Sequence, residues 1–221
     1  MEIYAIRKLS RHRYEIESDE CSFVLSSRDL DELGLHPMEA NEEEGEEPLQ
    51  VSGQLAQRIR DILRLAAIRK CGDLLKLQDY TEKRLRERLL HVGIPESAAD
   101  AAIQEMKDAH YLDDDRFAQT YIRYHLRDRS QERIRQDLKT RGVTEEIVER
   151  AFAAALQEEG EHGLQEREKE QIRQLLTKRH FDPAADWDEQ QKQKAYLFRK
   201  GYPMELIREV MEEAVEEAGT G

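Results

Sequence analysis

The sequence predicts a mainly α-helical protein: three tandem three-helix repeats in an elongated body, preceded by a small antiparallel β-element. Three observations lead to that class. Of 221 residues, 38% are apolar and 38% charged, and a charged share well above about a quarter demands more surface than one rounded core provides. Only 11 glycines and 5 prolines are present, which suits long helices with brief connections. Finally, Gly93, Gly142 and Gly201, spaced 49 and 59 residues apart, carry matching neighbours at constant offsets. Four positions earlier stand Leu89, Leu138 and Leu197; one later, Ile94, Val143 and Tyr202; two later, Pro95, Thr144 and Pro203. Nine and ten later come Ala102-Ile103, Ala151-Phe152 and Val210-Met211. Such self-similarity marks stacked modules, each covering its neighbour's apolar flank.

Taken in order, residues 1–50 form the β-extension and an acidic linker. Ile3, Ala5 and Arg7 alternate with Tyr4, Ile6 and Lys8, and Arg13–Ser18 and Ser22–Ser26 read as two further strands, giving a three-stranded antiparallel sheet. Asp29–Leu35 is one or two helical turns. Asn41–Pro48 lacks apolar residues and reads as a solvated linker. Repeat one spans 51–109. Leu55, Ile59, Ile62, Leu63, Ala66 and Ala67 make one buried stripe; Thr81 caps the next helix, with Leu85 and Leu89 inside, and Pro95 opens the third.

Repeat two spans 110–160. Asp113, Asp114 and Asp115 can cap a helix whose stripe is Phe117, Ala118, Tyr121, Ile122 and His125. Ser130 caps the second helix, over Ile134 and Leu138, and Gly142 stops it where a left-handed residue is wanted. A third helix follows from Thr144 to about Leu156. Repeat three spans 161–221 and has a longer first loop, His180–Asp188, in which Trp187 is expected as a packing anchor.

Several function classes lack support. No run approaches the roughly 18–20 apolar residues of a membrane span, and Met1–Ser10 has no signal-peptide core. Cys21 and Cys71 are expected as reduced thiols of a cytoplasmic protein. The seven histidines are scattered, without metal-ligand spacing to cysteine or acid. The Asp113–Asp115 cluster suits the positive end of a helix better than a metal ion. No phosphate-cradling glycine loop or nucleophile with a base is evident. A non-enzyme without cofactor or metal is expected.

Charge is more informative. The net charge is −13, yet 116–141 holds 8 bases against 3 acids, and 55–91 holds 10 against 5. The remaining segments are acidic, which argues against the whole molecule coating DNA. Arg84, Arg86, Arg88, Arg133, Arg135 and Lys139 fall on the second helices of repeats one and two, with Arg141 at the end of the latter. Arg116, Arg123 and Arg127 form a stripe away from the apolar side of the preceding helix. Arg84 with Arg88, and Arg135 with Lys139, are like-charge pairs four residues apart. Read as uncompensated, they favour a surface for phosphates or an acidic protein patch.

These residues resemble the RecX family, regulators that bind recombinase filaments of the RecA type. The resemblance rests on Tyr111-Leu112-Asp113-Asp114-Asp115-Arg116-Phe117-Ala118, then Arg133-Ile134, Leu138, Arg141-Gly142-Val143 and Ile147. Thr81, Leu85, Leu89 and Gly93 support it upstream, and Lys192, Leu197, Lys200-Gly201-Tyr202 and Ile207 downstream, over roughly residues 60–215. Ser130 stands where the family often has glycine, and Tyr202 where phenylalanine is frequent. The resemblance implies a curved body, expected as a monomer, lying in the groove of a RecA–DNA filament. It further implies that strand exchange, ATP turnover and co-protease action are modulated there, in recombination, DNA repair and the SOS response. The alternative is an autonomous helical-repeat protein binding single- or double-stranded DNA directly. A tetratricopeptide scaffold is disfavoured, because the repeat spacings differ from that motif's 34 residues.

Overall fold

The computed structural model describes residues 1–38 and 48–219. The acidic linker, apart from Pro48, therefore lies outside the described residues. The chain divides into two compact units, Met1–Asp113 and Asp114–Gly221, and the described residues form ten helices and four strands.

The first unit opens with β1 (Glu2–Ser10), β2 (Arg13–Ser18) and β3 (Ser22–Ser26), followed by α1 (Ser27–Leu33). The sheet has four strands rather than three, because β4 (Leu49–Gln50) pairs with the outer edge of β1, giving the order β3-β2-β1-β4. Strict alternation along β1 also fails. Ile3, Ala5 and Ile6 are all buried, since a register shift between Ile3 and Ala5 turns the strand, as a bulge does. Ser26 and Asp29 close a reciprocal capping box at the start of α1, and Gly34 ends it with φ 68°.

The apolar face of the sheet is covered by the helices that follow: α2 (Gly53–Leu75), α3 (Glu82–His91) and α4 (Glu96–Asp108). Ile3, Ile16 and Phe23 share one core with Ile59, Leu63, Leu85, Leu89 and Ala99. The stripe of α2 runs through Ala56, Ile59, Leu63, Ala67, Cys71 and Leu74. Ala66, expected inside, is exposed, because it lies 100° round the helix from Ala67. Cys21 and Cys71 are free thiols, and burial raises the Cys71 thiol to about 11.

The second unit contains α5 (Asp114–His125), α6 (Gln131–Thr140) and α7 (Glu145–Glu159), then α8 (Glu161–Lys178), α9 (Trp187–Arg199) and α10 (Met204–Gly219). Two cores fill it. One is built on Ala118, Ile122, Ile134, Leu138, Val148 and Phe152, the other on Ile172, Leu197, Tyr202, Ile207 and Val210.

The glycine elbow is the same in all three modules. Gly93, Gly142 and Gly201 have φ of 85°, 89° and 90°. One residue later, the Ile94, Val143 and Tyr202 amides donate back to the Leu89, Leu138 and Leu197 carbonyls, which is the Schellman closure of a helix end. Thr81 and Ser130 cap α3 and α6 as expected, and Asp186 caps α9. Helix α9 has 13 residues against 10 in α3 and α6, so an extra turn absorbs part of the longer loop. Trp187 begins that turn and is 72% exposed. It is not the packing anchor that its size suggested.

One of these glycines is also pressed against a neighbouring module. A Cβ on Gly201 would lie 2.7 Å from Ser130 Oγ and 3.2 Å from the Arg133 nitrogen, whereas one on Gly93 would meet Val24 at an ordinary 3.6 Å. Gly93→Ala should therefore cost about 1–2 kcal/mol, the left-handed backbone penalty alone. Gly201→Ala should cost roughly 1–3 kcal/mol more from the clash, read as the difference between the two variants in urea denaturation.

Candidate binding surface

The basic residues singled out from the sequence do not form one uncompensated stripe. On α3, Arg84 pairs with Glu87 at 3.3 Å, and Arg86 with Glu96 at 2.9 Å and Asp100 at 2.7 Å. On α6, Arg135 pairs with Glu149 at 3.0 Å and Lys139 with Glu145 at 2.8 Å. In module two the like-charge repulsion of Arg135 and Lys139 is thus offset by acids three and seven residues past the elbow glycine. In module one the acids at those places meet Arg86, and among the described residues the Arg84–Arg88 pair is relieved only by Glu87. Arg135 also lies over the Phe152 ring at 4.0 Å. Arg123 meets Glu158 at 3.5 Å, and Arg141, the cap residue of α6, lies 4.7 Å over the Tyr121 ring. Arg116 is exposed on the first turn of α5. Only Arg88 and Arg127 of the expected set are exposed without a carboxylate partner among the described residues.

The cations that do converge lie where the second module meets the third. A cavity of about 500 Å³ is lined by Arg127, Arg129, Arg133, Lys178, Arg199 and Lys200, against a single acid, Asp128. Its position follows from helix ends. Arg127 and Arg129 stand in the turn between α5 and α6, Lys178 in the last turn of α8, and Arg199 and Lys200 where α9 stops. The carbonyl end of a helix favours cations, so the bases are explained locally. Their meeting is a consequence of how the two modules dock.

That docking is made by buried polar groups. The Ser130 hydroxyl donates to the Lys200 carbonyl at 2.8 Å and accepts from the Arg133 amide at 3.2 Å. The Gln131 amide and side-chain nitrogen donate to Glu168 of α8, at 2.8 and 3.1 Å. Tyr202 donates to Gln171, which donates in turn to the Leu126 carbonyl. Ser130, Glu168, Gln171 and Tyr202 are all buried. Each is satisfied, as buried polar groups must be.

Two of the six cations are committed to the scaffold. Arg129 and Arg133 both bind the buried Asp137 carboxylate, and Tyr121 completes the cluster as a neighbour of each Asp137 and Arg129. Arg127, Lys178, Arg199 and Lys200 have no ion-pair partner among the described residues. Arg129, Lys178, Arg199 and Lys200 were absent from the set chosen by sequence. Only Lys200 had a visible signal, since it occupies the place of Arg141 immediately before the elbow glycine.

Among the described residues, no group of three or more histidines, cysteines or acids could hold a metal ion, and no helix is long and apolar enough to cross a membrane. Asp115 pairs with Arg150 at 2.7 Å, and Asp114 and Asp115 occupy the first turn of α5, where the helix end favours them. His125 is half-buried on its stripe, 3.4 Å from Asp128.

The fold and surface define a class: a tandem three-helix-module protein with a cation-lined groove. Family models describe its modules directly. Residues 113–151 match the second three-helix domain of RecX and residues 166–211 the third. The chain is 33% identical over 137 residues to the regulatory protein RecX of Vibrio campbellii, covering 61% of this chain and 82% of that one. It is 32% identical over 153 residues to the regulatory protein RecX of Trichlorobacter lovleyi, covering 67% and 92%. A crystal structure of a regulatory protein RecX shares the fold with a TM-score of 0.61 at 18% identity, over 96% of this chain and 98% of that one. The chain belongs to the RecX family of regulatory proteins.

Burial raises the Glu168 carboxyl, although the Gln131 hydrogen bonds and Arg135 pull the other way. A carboxyl raised in the folded state favours folding most below its unfolded pKa, and that advantage is lost as pH rises through the folded value. The stability of the native protein relative to Glu168→Gln should therefore grow as pH falls from 7 towards 4, read from urea midpoints. Glu168→Ala, which strips the Gln131 amide of its acceptor, should destabilise at every pH by about 1–3 kcal/mol.

Proposed function

We propose that this protein is a non-enzymatic regulator of a RecA-type recombinase, acting by binding the groove of the recombinase filament on DNA and slowing strand exchange, ATP turnover and co-protease activity. The observation that carries the reading is the concentration of cations at the joint of modules two and three, six bases to one acid, in a chain whose net charge is −13. Family membership supports the partner, and the basic joint supports a contact with something anionic and extended. Positive surface in one place and acid elsewhere favours a shaped, mixed partner such as a protein–DNA filament over bare duplex.

The contact set we propose begins with Arg88 and Arg127, whose guanidinium groups have no carboxylate partner among the described residues. Arg84, Arg86, Arg123, Arg133, Arg135 and Lys139 would exchange an existing carboxylate for the partner, at a cost in desolvation and geometry. Arg116 and Arg141 complete the proposed set. Direct DNA binding is the second reading, favoured by the same basic joint. It requires affinity for DNA without recombinase that falls steeply with salt.

Sub-stoichiometric protein should lower DNA-dependent ATP hydrolysis by the cognate recombinase. Arg88→Glu with Arg127→Glu should raise the concentration needed for half the effect by about tenfold or more, with the helical circular dichroism unchanged. Absence of any effect on hydrolysis across a wide range of ratios would remove the regulatory reading, and full potency of the double variant would remove this contact set.

A further inference from the structure

The groove between the second and third modules has more to it than a share of surface charge. Four of its cations have no ion-pair partner among the described residues: Arg127 from the turn before α6, Lys178 from the end of α8, and Arg199 and Lys200 from the end of α9, where Lys200 also lies 5.3 Å from the Tyr196 ring centroid. One belongs to the second module and three to the third. Bringing them to one concavity sets like charges against each other across the joint, and the carbonyl ends of the helices offset only part of that. The lining offers little else. Leu175 is its single aliphatic residue, so there is no apolar pocket for the anchor side chain of a peptide. The polar floor is spoken for, since the Ser130 hydroxyl donates to the Lys200 carbonyl and Tyr202 to Gln171. Beside the cations the lining holds Gln174 and one acid, Asp128, which lies 3.9 Å from Arg129. Two guanidinium forks and two ammonium groups line a cavity of about 500 Å³, a donor set suited to the several oxygens and high charge of phosphate groups.

We infer that the groove lined by Arg127, Lys178, Arg199 and Lys200 is a phosphate-binding site, and that its occupancy braces the joint between modules two and three. A phosphate-bearing ligand replaces repulsion across the joint with attraction from both sides. Binding and docking are then coupled, and the ligand stabilises the native state in proportion to its saturation. The ligand is recognised by its phosphates alone, whether these are free polyphosphate or the backbone of a polynucleotide. The inference concerns the protein without any recombinase, so its test is separate from that of the proposed function.

Thermal unfolding of the full chain, at fixed ionic strength, should be followed in sodium chloride, in sodium tripolyphosphate, and with a short single-stranded oligodeoxynucleotide. At about a hundredfold excess over Kd, Tm should rise by about 5 °C over the chloride control. Lys178→Gln with Arg199→Gln, both on exposed positions, should abolish most of that rise, while Lys178→Arg with Arg199→Lys should keep it. A rise with both ligands, or with one, supports the site and identifies the source of the phosphate. A rise with neither overturns it, and so does an undiminished rise in the glutamine variant.

Discussion

The second half of this molecule depends on a glycine turned against a serine. Ser130 begins α6, and its hydroxyl serves two masters: it accepts from the Arg133 amide, as an N-cap does, and donates to the Lys200 carbonyl at the end of α9. The closeness this needs is possible because residue 201 has no Cβ. The glycine that ends the third module's second helix therefore also leaves the space into which the second module fits. Glu168 holds the Gln131 amide from the other side. The first turn of α6 is thus capped partly by its own chain and partly by the next module, which makes the integrity of one a condition for the other.

The same docking sets the electrostatics. Within each of the first two modules, acids placed three and seven residues after the elbow glycine neutralise the arginines before it, as Glu96 and Asp100 do for Arg86 and Glu145 and Glu149 do for Lys139 and Arg135. At the corresponding places in the third module, the seventh residue is Arg208 and its counterpart Lys194. That module places its acids differently: Glu209 and Glu213 of α10 meet Lys169 and Arg173 of α8. Charge left over in the second and third modules collects at helix ends that meet, and a cavity forms there. The concentration of cations thus arises where helix ends meet rather than along one helix face.

What was legible in the sequence was local. The caps at Thr81 and Ser130, the elbows at Gly93, Gly142 and Gly201, and the stripes through Leu85, Leu89, Ile134 and Leu138 each depend on residues within a few positions. What was not legible required partners distant along the chain. The neutralisation of Arg86 and Arg135 was readable in principle, since the acids recur at a fixed offset past the elbow, but a count of charge by segment concealed it. The contact of Ser130 with Lys200 spans 70 residues, and no periodicity encodes it. Trp187 misled because size suggests burial, whereas an added turn of α9 carries it outward.

Modules two and three, joined in this way, should unfold as one. Native-state hydrogen exchange on the full chain tests it most directly, by comparing the amides of Ile134 and Leu138 with those of Ile172 and Leu197, all fully buried. A shared opening free energy with the same dependence on denaturant is expected, as for a single cooperative unit. Exchange of Ile172 and Leu197 through an opening that leaves Ile134 and Leu138 protected would contradict it.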